Sequence, residues 1–154
     1  MNEGKRWEHN IRRSLPGIIR LYDSTNGYSG VTNPCDFIYY VYPFMFMLEA
    51  KSCKRSKLYW TAISQNQHEQ LEFYDTIFGC NSLILVEFRE EKECYALPYS
   101  MLKQLKEQGA KGLSIEMARN LDEVYRIPVE YQIVNCIINE QEFRTMLGRI
   151  GMSK

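Results

Sequence analysis

The stretch Phe44–Lys51, FMFMLEAK, joins a run of large apolar side chains to a carboxylate and an amine two residues apart. Five consecutive apolar residues before Glu49 predict a strand that is buried on both faces. An ionised carboxylate at the end of such a strand is costly unless it is paired or bound to a metal. Because side chains alternate along a strand, Glu49 and Lys51 are expected on the same face.

A second apolar run, Cys35–Val41, ends two residues before this stretch. If the two intervening residues connect a hairpin, Asp36 lies directly opposite Glu49, with β-carbons roughly 5 Å apart. A slip of one residue would turn the two acids to opposite faces. Two like charges so placed repel each other, and a hard divalent cation bound by both carboxylates removes the conflict. The alternative is that Asp36 caps a loop and that Glu49 pairs with Lys51 or with an arginine.

Helical periodicity is found on both sides of these two runs. Residues 5–15 place apolar side chains at a spacing of four, and residues 64–78 open with Ser64 and Gln67 in the pattern of a capping box. In this second helix we expect four side chains to point inward: Leu71, Tyr74, Ile77 and Phe78.

The rest of the chain predicts an α/β domain with a central mixed β-sheet flanked by helices. The apolar run Ser82–Phe88 is typical of a central strand that is covered on both faces. Residues 23–34, rich in Gly, Ser, Thr and Asn, are expected to form a loop. The remaining predictions are short strands at Ile18–Tyr22 and Glu93–Leu97, a strand-like Leu113–Met117, a helix from Pro98 to a stop at Gly109, and a last helix over Glu140–Leu147.

Composition indicates a folded chain of one domain, residues 1–154. A hydrophobic fraction of 45% with 13% aromatic residues excludes a disordered chain. No apolar run reaches the length of a membrane span, and the first residues do not resemble a signal peptide. Five widely spaced cysteines, an odd number, indicate reduced thiols and a cytoplasmic protein.

Charge is distributed unevenly although the formal net charge is zero. Residues 1–60 carry nine Lys and Arg against five Asp and Glu. This excess is compatible with a polyanionic partner, and the alternative is a solvated basic face. The candidates for phosphate contacts are Lys5, Arg6, Arg12, Arg13, Lys54, Arg55 and Lys57.

Asp36 followed by Glu49, Ala50 and Lys51 on the next strand resembles the PD-(D/E)xK nuclease signature. Four ordered segments between residues 4 and 98 are similar to the motifs of the RecU Holliday-junction resolvases: Gly4–Glu8, Cys35–Ile38, Leu48–Ser52 and Gln67. The resemblance implies a restriction-endonuclease-like core. It also implies a Mg²⁺-dependent, structure-selective DNA endonuclease that resolves Holliday junctions in recombination or repair.

The resemblance assigns roles residue by residue. The implied metal ligands are Asp36, Glu49 and the Ala50 carbonyl, with Mn²⁺ as a possible substitute for Mg²⁺. Lys51 would orient or help deprotonate the attacking water and offset charge on the phosphate. Glu8 would support the metal site from the first helix, and Gln67 would position water or substrate.

The implied partners are branched DNA, such as a four-way junction, and a second copy of the chain in a twofold homodimer, because resolution takes two symmetric nicks. The family carries a projecting stalk before the catalytic aspartate, whereas the corresponding loop here, Ser24–Pro34, is short. This compactness suggests a phage or mobile-element version. Two alternatives stay open: another PD-(D/E)xK nuclease, of restriction type or a phage recombination nuclease, and a non-catalytic DNA-binding protein of the same fold.

Overall fold

The computed structural model describes residues 1–22 and 33–154. Within these residues the helices are α1 Glu3–Ser14, α2 Gln65–Asp75, α3 Tyr99–Glu107, α4 Ile115–Arg119 and α5 Glu140–Met152. The strands are β1 Ile19–Arg20, β2 Phe37–Val41, β3 Phe44–Cys53, β4 Lys57–Tyr59, β5 Cys80–Phe88, β6 Glu93–Pro98, β7 Gly112–Ser114, β8 Val129–Gln132 and β9 Asn135–Ile138. None of the helices in these two ranges is long and apolar enough to cross a membrane.

Five strands form one mixed sheet in the order β1-β2-β3-β5-β6. Strands β3 and β5 are parallel, and the other neighbours are antiparallel. Strand β5 lies between β3 and β6, and it is buried from Asn81 to Phe88. Cover on both faces explains its continuous apolar sequence. The sheet confirms the predicted mixed α/β architecture, and the pairs β4–β7 and β8–β9 form two small additional sheets.

The β2–β3 hairpin has the register that the sequence predicts. Val41 pairs with Phe44 across the two-residue turn. Beyond the last strand pair, the Asp36 N–H donates to the Leu48 carbonyl over 3.1 Å, which continues the same register. Asp36 therefore lies across from Glu49, and the two acids share one face of the sheet.

The sheet separates two hydrophobic cores. Helices α1 and α5 cover one face, and the Trp7 indole N–H donates to the Leu85 carbonyl over 2.9 Å, which ties α1 to β5. Helices α2 and α3 cover the other face with Leu71 and Leu102. The buried apolar side chains of α1 and its C-cap repeat every four residues, as predicted: Trp7, Ile11 and Leu15.

Alternation along β3 places Glu49 and Lys51 on the α2 face. Phe46 and Leu48 belong to the core under α1, whereas Met47 belongs to the core under α2. Glu49 and Lys51 follow Met47 at intervals of two and so share its face. The N-terminus of α2 and the end of β3 together position the site described below.

Helix α2 is shorter than the sequence predicts. It begins after Ser64, which forms the expected capping box with Gln67, but it ends before Ile77. Ile77 and Phe78 lie beyond the helix and are exposed, so the prediction that they point inward is wrong. The chain turns away here because Gly79 adopts φ of 82°, a conformation that glycine reaches without strain.

Two further predictions are corrected. Leu113–Met117 is only in part a strand, because β7 ends at Ser114, whose side chain accepts the Met117 N–H as the N-cap of α4. The last helix, predicted to end at Leu147, continues to Met152 because Ile150 and Gly151 are also buried. The predicted loop over residues 23–34 lies largely outside the described residues.

Candidate active site

Glu49 is a buried carboxylate with one satisfied and one unsatisfied oxygen. Only 1% of the Glu49 residue is exposed to solvent. Oε1 accepts a hydrogen bond from Gln67 Nε2 at 2.8 Å and lies 3.5 Å from Lys51 Nζ. Oε2 is buried and has no hydrogen-bond partner among the described residues. A buried acceptor without a partner is costly, so this oxygen is an open position for a donor or a cation.

The environment of Glu49 raises its pKa from the usual 4.5 to about 8. Burial is the largest cause, because the charged form loses its hydration. The negative charge of Asp36 raises the pKa further, and the positive charge of Lys51 partly offsets both effects. The carboxyl is therefore poised to lose its proton when a cation enters the site.

Asp36 directly precedes β2 and is held by contacts from β1 and β3. Its Oδ2 accepts the Ala50 N–H at 2.9 Å, and its Oδ1 lies 3.3 Å from an Arg20 guanidinium nitrogen. The Ala50 amide thus anchors Asp36 against β3. The alternative considered for the sequence is realised in part, since Glu49 lies near Lys51. The arginine contact is made by Asp36 and not by Glu49. Neither contact engages Glu49 Oε2.

The Gln67 side chain takes part both in the capping box of α2 and in contacts with the candidate site. Its Oε1 accepts the Ser64 N–H at 3.0 Å, which completes the capping box of α2. Its Nε2 donates to Glu49, and its Oε1 also accepts from Lys51 Nζ at 3.4 Å. The helix terminus therefore fixes the side chain that bridges the acid and the amine of β3.

Arg20 joins the first helix to the site, and the sequence patterns did not single it out for this role. One guanidinium nitrogen donates to Glu8 Oε2 at 2.9 Å, and the other donates to the Asp36 carbonyl at 2.9 Å. Glu8 is thus connected to Asp36 through Arg20. The only signal in the sequence was an arginine within the apolar run of residues 18–22, in a strand that pairs with β2.

The basic residues fall into two groups. On α1, Lys5 and Arg12 stand three and four residues from Glu8 and so share its face of the helix. Arg6 is engaged in an ion pair with Glu3 at 2.8 Å, and Arg13 does not share the Glu8 face.

The second group follows β3: Lys54 and Arg55 are exposed and Lys57 is half-buried.

The carboxylates suit one class of metal. Among residues 1–22 and 33–154 no group of three or more His, Cys, Asp or Glu side chains could hold an ion. Mg²⁺ is commonly bound by one or two carboxylates, with waters and substrate phosphate completing its shell. Asp36, Glu49 and the unpartnered Oε2 fit this pattern. The Ala50 carbonyl stays a predicted ligand. The Cys35 thiol, next to Asp36 in the sequence, stays protonated because burial raises its pKa to about 12.

A mixed sheet with helices on both faces, carrying opposed acids and an amine on neighbouring strands, defines a restriction-endonuclease-like fold. The chain belongs to the RecU family: the family model for recombination protein U matches residues 17–139. This match begins after α1, on which Glu8 lies, and it reaches well past residue 98, where the motif resemblance ended.

Solved structures also match the chain. One is Archaeoglobus fulgidus Hjc, a Holliday junction resolvase from an archaeal hyperthermophile, with 21% sequence identity and a TM-score of 0.49. The similarity covers 65% of this chain and 75% of the Hjc chain. None of the curated proteins compared with the chain matches it.

Proposed function

We propose that this RecU family member is a Mg²⁺-dependent endonuclease that resolves four-way DNA junctions in recombination or repair. The observation that carries the proposal is the convergence of Asp36, Glu49 and Lys51 at one end of β2 and β3. Hydrolysis of a phosphodiester needs an activated water and stabilisation of a pentacoordinate dianion. A bound Mg²⁺, or Mn²⁺ in its place, supplies both when it is held by the two carboxylates.

The side chains around the carboxylates have complementary tasks in this proposal. Gln67 holds Glu49 in one orientation and leaves Oε2 without a partner, so this oxygen would serve as a ligand to the cation. Lys51 stands beside the same carboxylate, where its ammonium orients the attacking water and offsets the charge that develops on the phosphate. Arg20 contacts both Asp36 and Glu8, and it positions Asp36 as a metal ligand. The water oxygen forms the new bond to phosphorus as the bridging oxygen departs.

A twofold homodimer would place one site on each of two opposed strands of a junction. Exposed apolar side chains at the end of the β2–β3 hairpin and after α2 offer a surface for this pairing. These two segments are neighbours, because the Met45 N–H donates to the Gly79 carbonyl over 2.8 Å. The members of this surface are Tyr40, Tyr42, Met45, Ile77 and Phe78.

The test compares a synthetic four-way junction with a linear duplex of equal sequence, with Mg²⁺ or Mn²⁺ titrated against each. We expect the junction to be cut at least about tenfold faster, by paired nicks made within the lifetime of one complex. Equal rates on the two substrates would favour a different PD-(D/E)xK nuclease. Binding without cleavage at any metal concentration would favour a non-catalytic DNA-binding protein.

Neutralisation of the basic group after β3 should weaken DNA binding through its salt dependence. Each phosphate contact contributes about 0.9 to the slope of log affinity against log salt on duplex DNA. Replacement of Lys54, Arg55 and Lys57 by alanine is expected to flatten that slope by up to about three units. Titration of labelled junction DNA at several NaCl concentrations measures it.

The matched control removes three charges that are already engaged in ion pairs: Lys103 with Glu72, and Arg119 and Arg126 with Glu93. Its slope should stay near that of the wild type. If the control and the test variant lose the same slope, general charge attraction accounts for binding, and the surface after β3 has no special part in it.

A further inference from the structure

A groove of about 640 Å³ lies next to the candidate active site, between two segments of the chain. One wall is formed by residues 59–65, which lead into α2, and the other by residues 106–111, which run from the last turn of α3 to the start of β7. The groove belongs to neither the carboxylate pair nor the basic group after β3. The position of the groove beside the carboxylate pair and the basic group after β3 indicates its function.

The two walls are fixed to each other by direct hydrogen bonds. Strands β4 and β7 pair Tyr59 with Gly112. The Trp60 backbone N–H donates to the Lys111 carbonyl at 3.0 Å, and its indole N–H donates to the Ala110 carbonyl at 2.8 Å. A β-carbon at Gly112 would lie 2.2 Å from the Leu58 carbonyl oxygen, so only glycine permits this approach. The groove is a preformed feature of the fold.

The charged side chains at the mouth of the groove are two lysines. Lys106 and Lys111 are exposed on one wall, and His68 is buried between the Trp60 carbonyl and the Tyr99 hydroxyl. No Asp or Glu is among the described residues that line it. The charge of the groove is therefore complementary to an anion.

An aromatic ring stands at the opposite wall. Tyr59 is 53% exposed, so its ring is open to contact from a bound molecule. The Lys57 ammonium lies 5.2 Å from the centre of its ring. Lys57 also belongs to the basic group after β3, so cationic surface continues from that group through Tyr59 into the groove.

The groove is joined to the candidate active site by a short chain of hydrogen bonds. Ser64, which lines the groove, donates its backbone N–H to Gln67 Oε1. Gln67 in turn contacts both Glu49 and Lys51. The groove and the carboxylate pair therefore share the N-terminal turn of α2.

We propose that this groove binds the DNA strand that continues from the cleavage site, with Lys106 and Lys111 contacting backbone phosphates and Tyr59 packing against a sugar or base. The proposal rests on the function proposed above and extends it. Cationic side chains that track a nucleic-acid backbone beside an exposed aromatic ring are a common arrangement for such contacts. The groove thus adds a binding subsite on the α2 side of the active site.

The experiment measures binding of labelled junction DNA in EDTA at several salt concentrations, together with cleavage at saturating DNA in Mg²⁺. The variant K106A/K111A is expected to flatten the salt slope by up to about two units and to weaken binding about tenfold or more. Its cleavage rate at saturation should stay within about twofold of wild type. Y59A should weaken binding without changing the slope, and Y59F should retain it.

The matched control is K103A/K154A, which also removes two lysines but takes them from ion pairs with Glu72 and Asp75. It should bind as the wild type does. If wild type binds and cuts the junction while K106A/K111A keeps the wild-type slope, the groove proposal is overturned and the proposed function stands. If wild type binds no DNA, both are overturned. Equal losses in K106A/K111A and K103A/K154A also count against the groove.

Discussion

The variants D36N and K51A are each expected to reduce metal-dependent nicking of a four-way junction by roughly 10³-fold or more, with junction binding within about threefold of wild type. Asp36→Asn removes a negative charge from the proposed metal site while its amide oxygen can still accept the Ala50 N–H. Lys51→Ala removes the ammonium beside Glu49 and Gln67. Neither change removes a member of the two hydrophobic cores.

The loss should be in the rate at saturating DNA, because the two side chains are proposed to act on the reacting phosphate. Single-turnover nicking on a labelled junction measures this rate directly. A change in apparent affinity alone would indicate a role in binding. The variant D122N is the matched control for the carboxylate, since Asp122 caps a 3₁₀ turn away from the site and asparagine caps as well. K103A serves the same purpose for the lysine.

Nicking by D36N at more than about a tenth of the wild-type rate would contradict the assignment of Asp36 as a metal ligand. Full activity of K51A would leave the metal assignment in place and would move the task of orienting the water to another group. The two variants therefore test separate parts of the mechanism.

The hairpin that carries the site was predictable because its determinants are local. Two residues separate the apolar runs, and a connection of that length allows one register in which both strands bury their apolar faces. The pairing of Val41 with Phe44 follows, and it places Asp36 opposite Glu49. The same holds for Ser64 and Gln67, whose capping box spans only three residues.

The contacts that complete the site could not be read from the sequence. Arg20 is 12 residues from Glu8 and 16 from Asp36, and no periodicity relates positions on α1, β1 and β2. The bond from Gln67 to Glu49 likewise depends on how α2 packs on the sheet. These contacts are tertiary, and the pattern of apolar residues constrains them only indirectly.

At the end of α2, the apolar pattern predicts too long a helix because a local contact ends it first. The apolar residues Ile77 and Phe78 continue the helical period, which favoured a longer helix. The chain leaves the helix earlier, and the Thr76 N–H and the Thr76 hydroxyl both bond to the Phe73 carbonyl. A local capping arrangement thus ends the helix before the apolar pattern does, and it leaves two large side chains exposed.

The second large effect expected is on stability, where E49Q should stabilise the metal-free protein at pH 8 while abolishing its response to Mg²⁺. The pKa of Glu49 is about 8 in the folded chain and near 4.5 when the chain is unfolded. Between these values the folded state holds a proton that the unfolded state has released. The free energy of unfolding therefore falls as pH rises from about 4.5 to 8, and it stops falling from this cause above pH 8.

Gln is neutral at every pH, and its carbonyl can accept the hydrogen bond from Gln67. E49Q therefore lacks the cost of a buried charge, and its advantage over wild type should grow from near zero at pH 5 to several kcal/mol at pH 8. Thermal or urea unfolding in EDTA across this range measures the difference. E93Q is a control of opposite sign, because hydrogen bonding to Arg119 lowers the pKa of Glu93. Its loss of stability should be constant from pH 6 to 9.

Addition of Mg²⁺ should reverse the order of wild type and E49Q at pH 8. A cation held by Asp36 and Glu49 would require the deprotonated carboxylate, so it would stabilise wild type by an amount that grows with its concentration. Because binding then requires loss of the Glu49 proton, the apparent Mg²⁺ affinity and the nicking rate at limiting Mg²⁺ should rise about tenfold per pH unit below pH 8. Parallel stability curves for the two proteins in EDTA, or equal Mg²⁺ stabilisation of both, would mean that Glu49 is not the group that exchanges its proton for the metal.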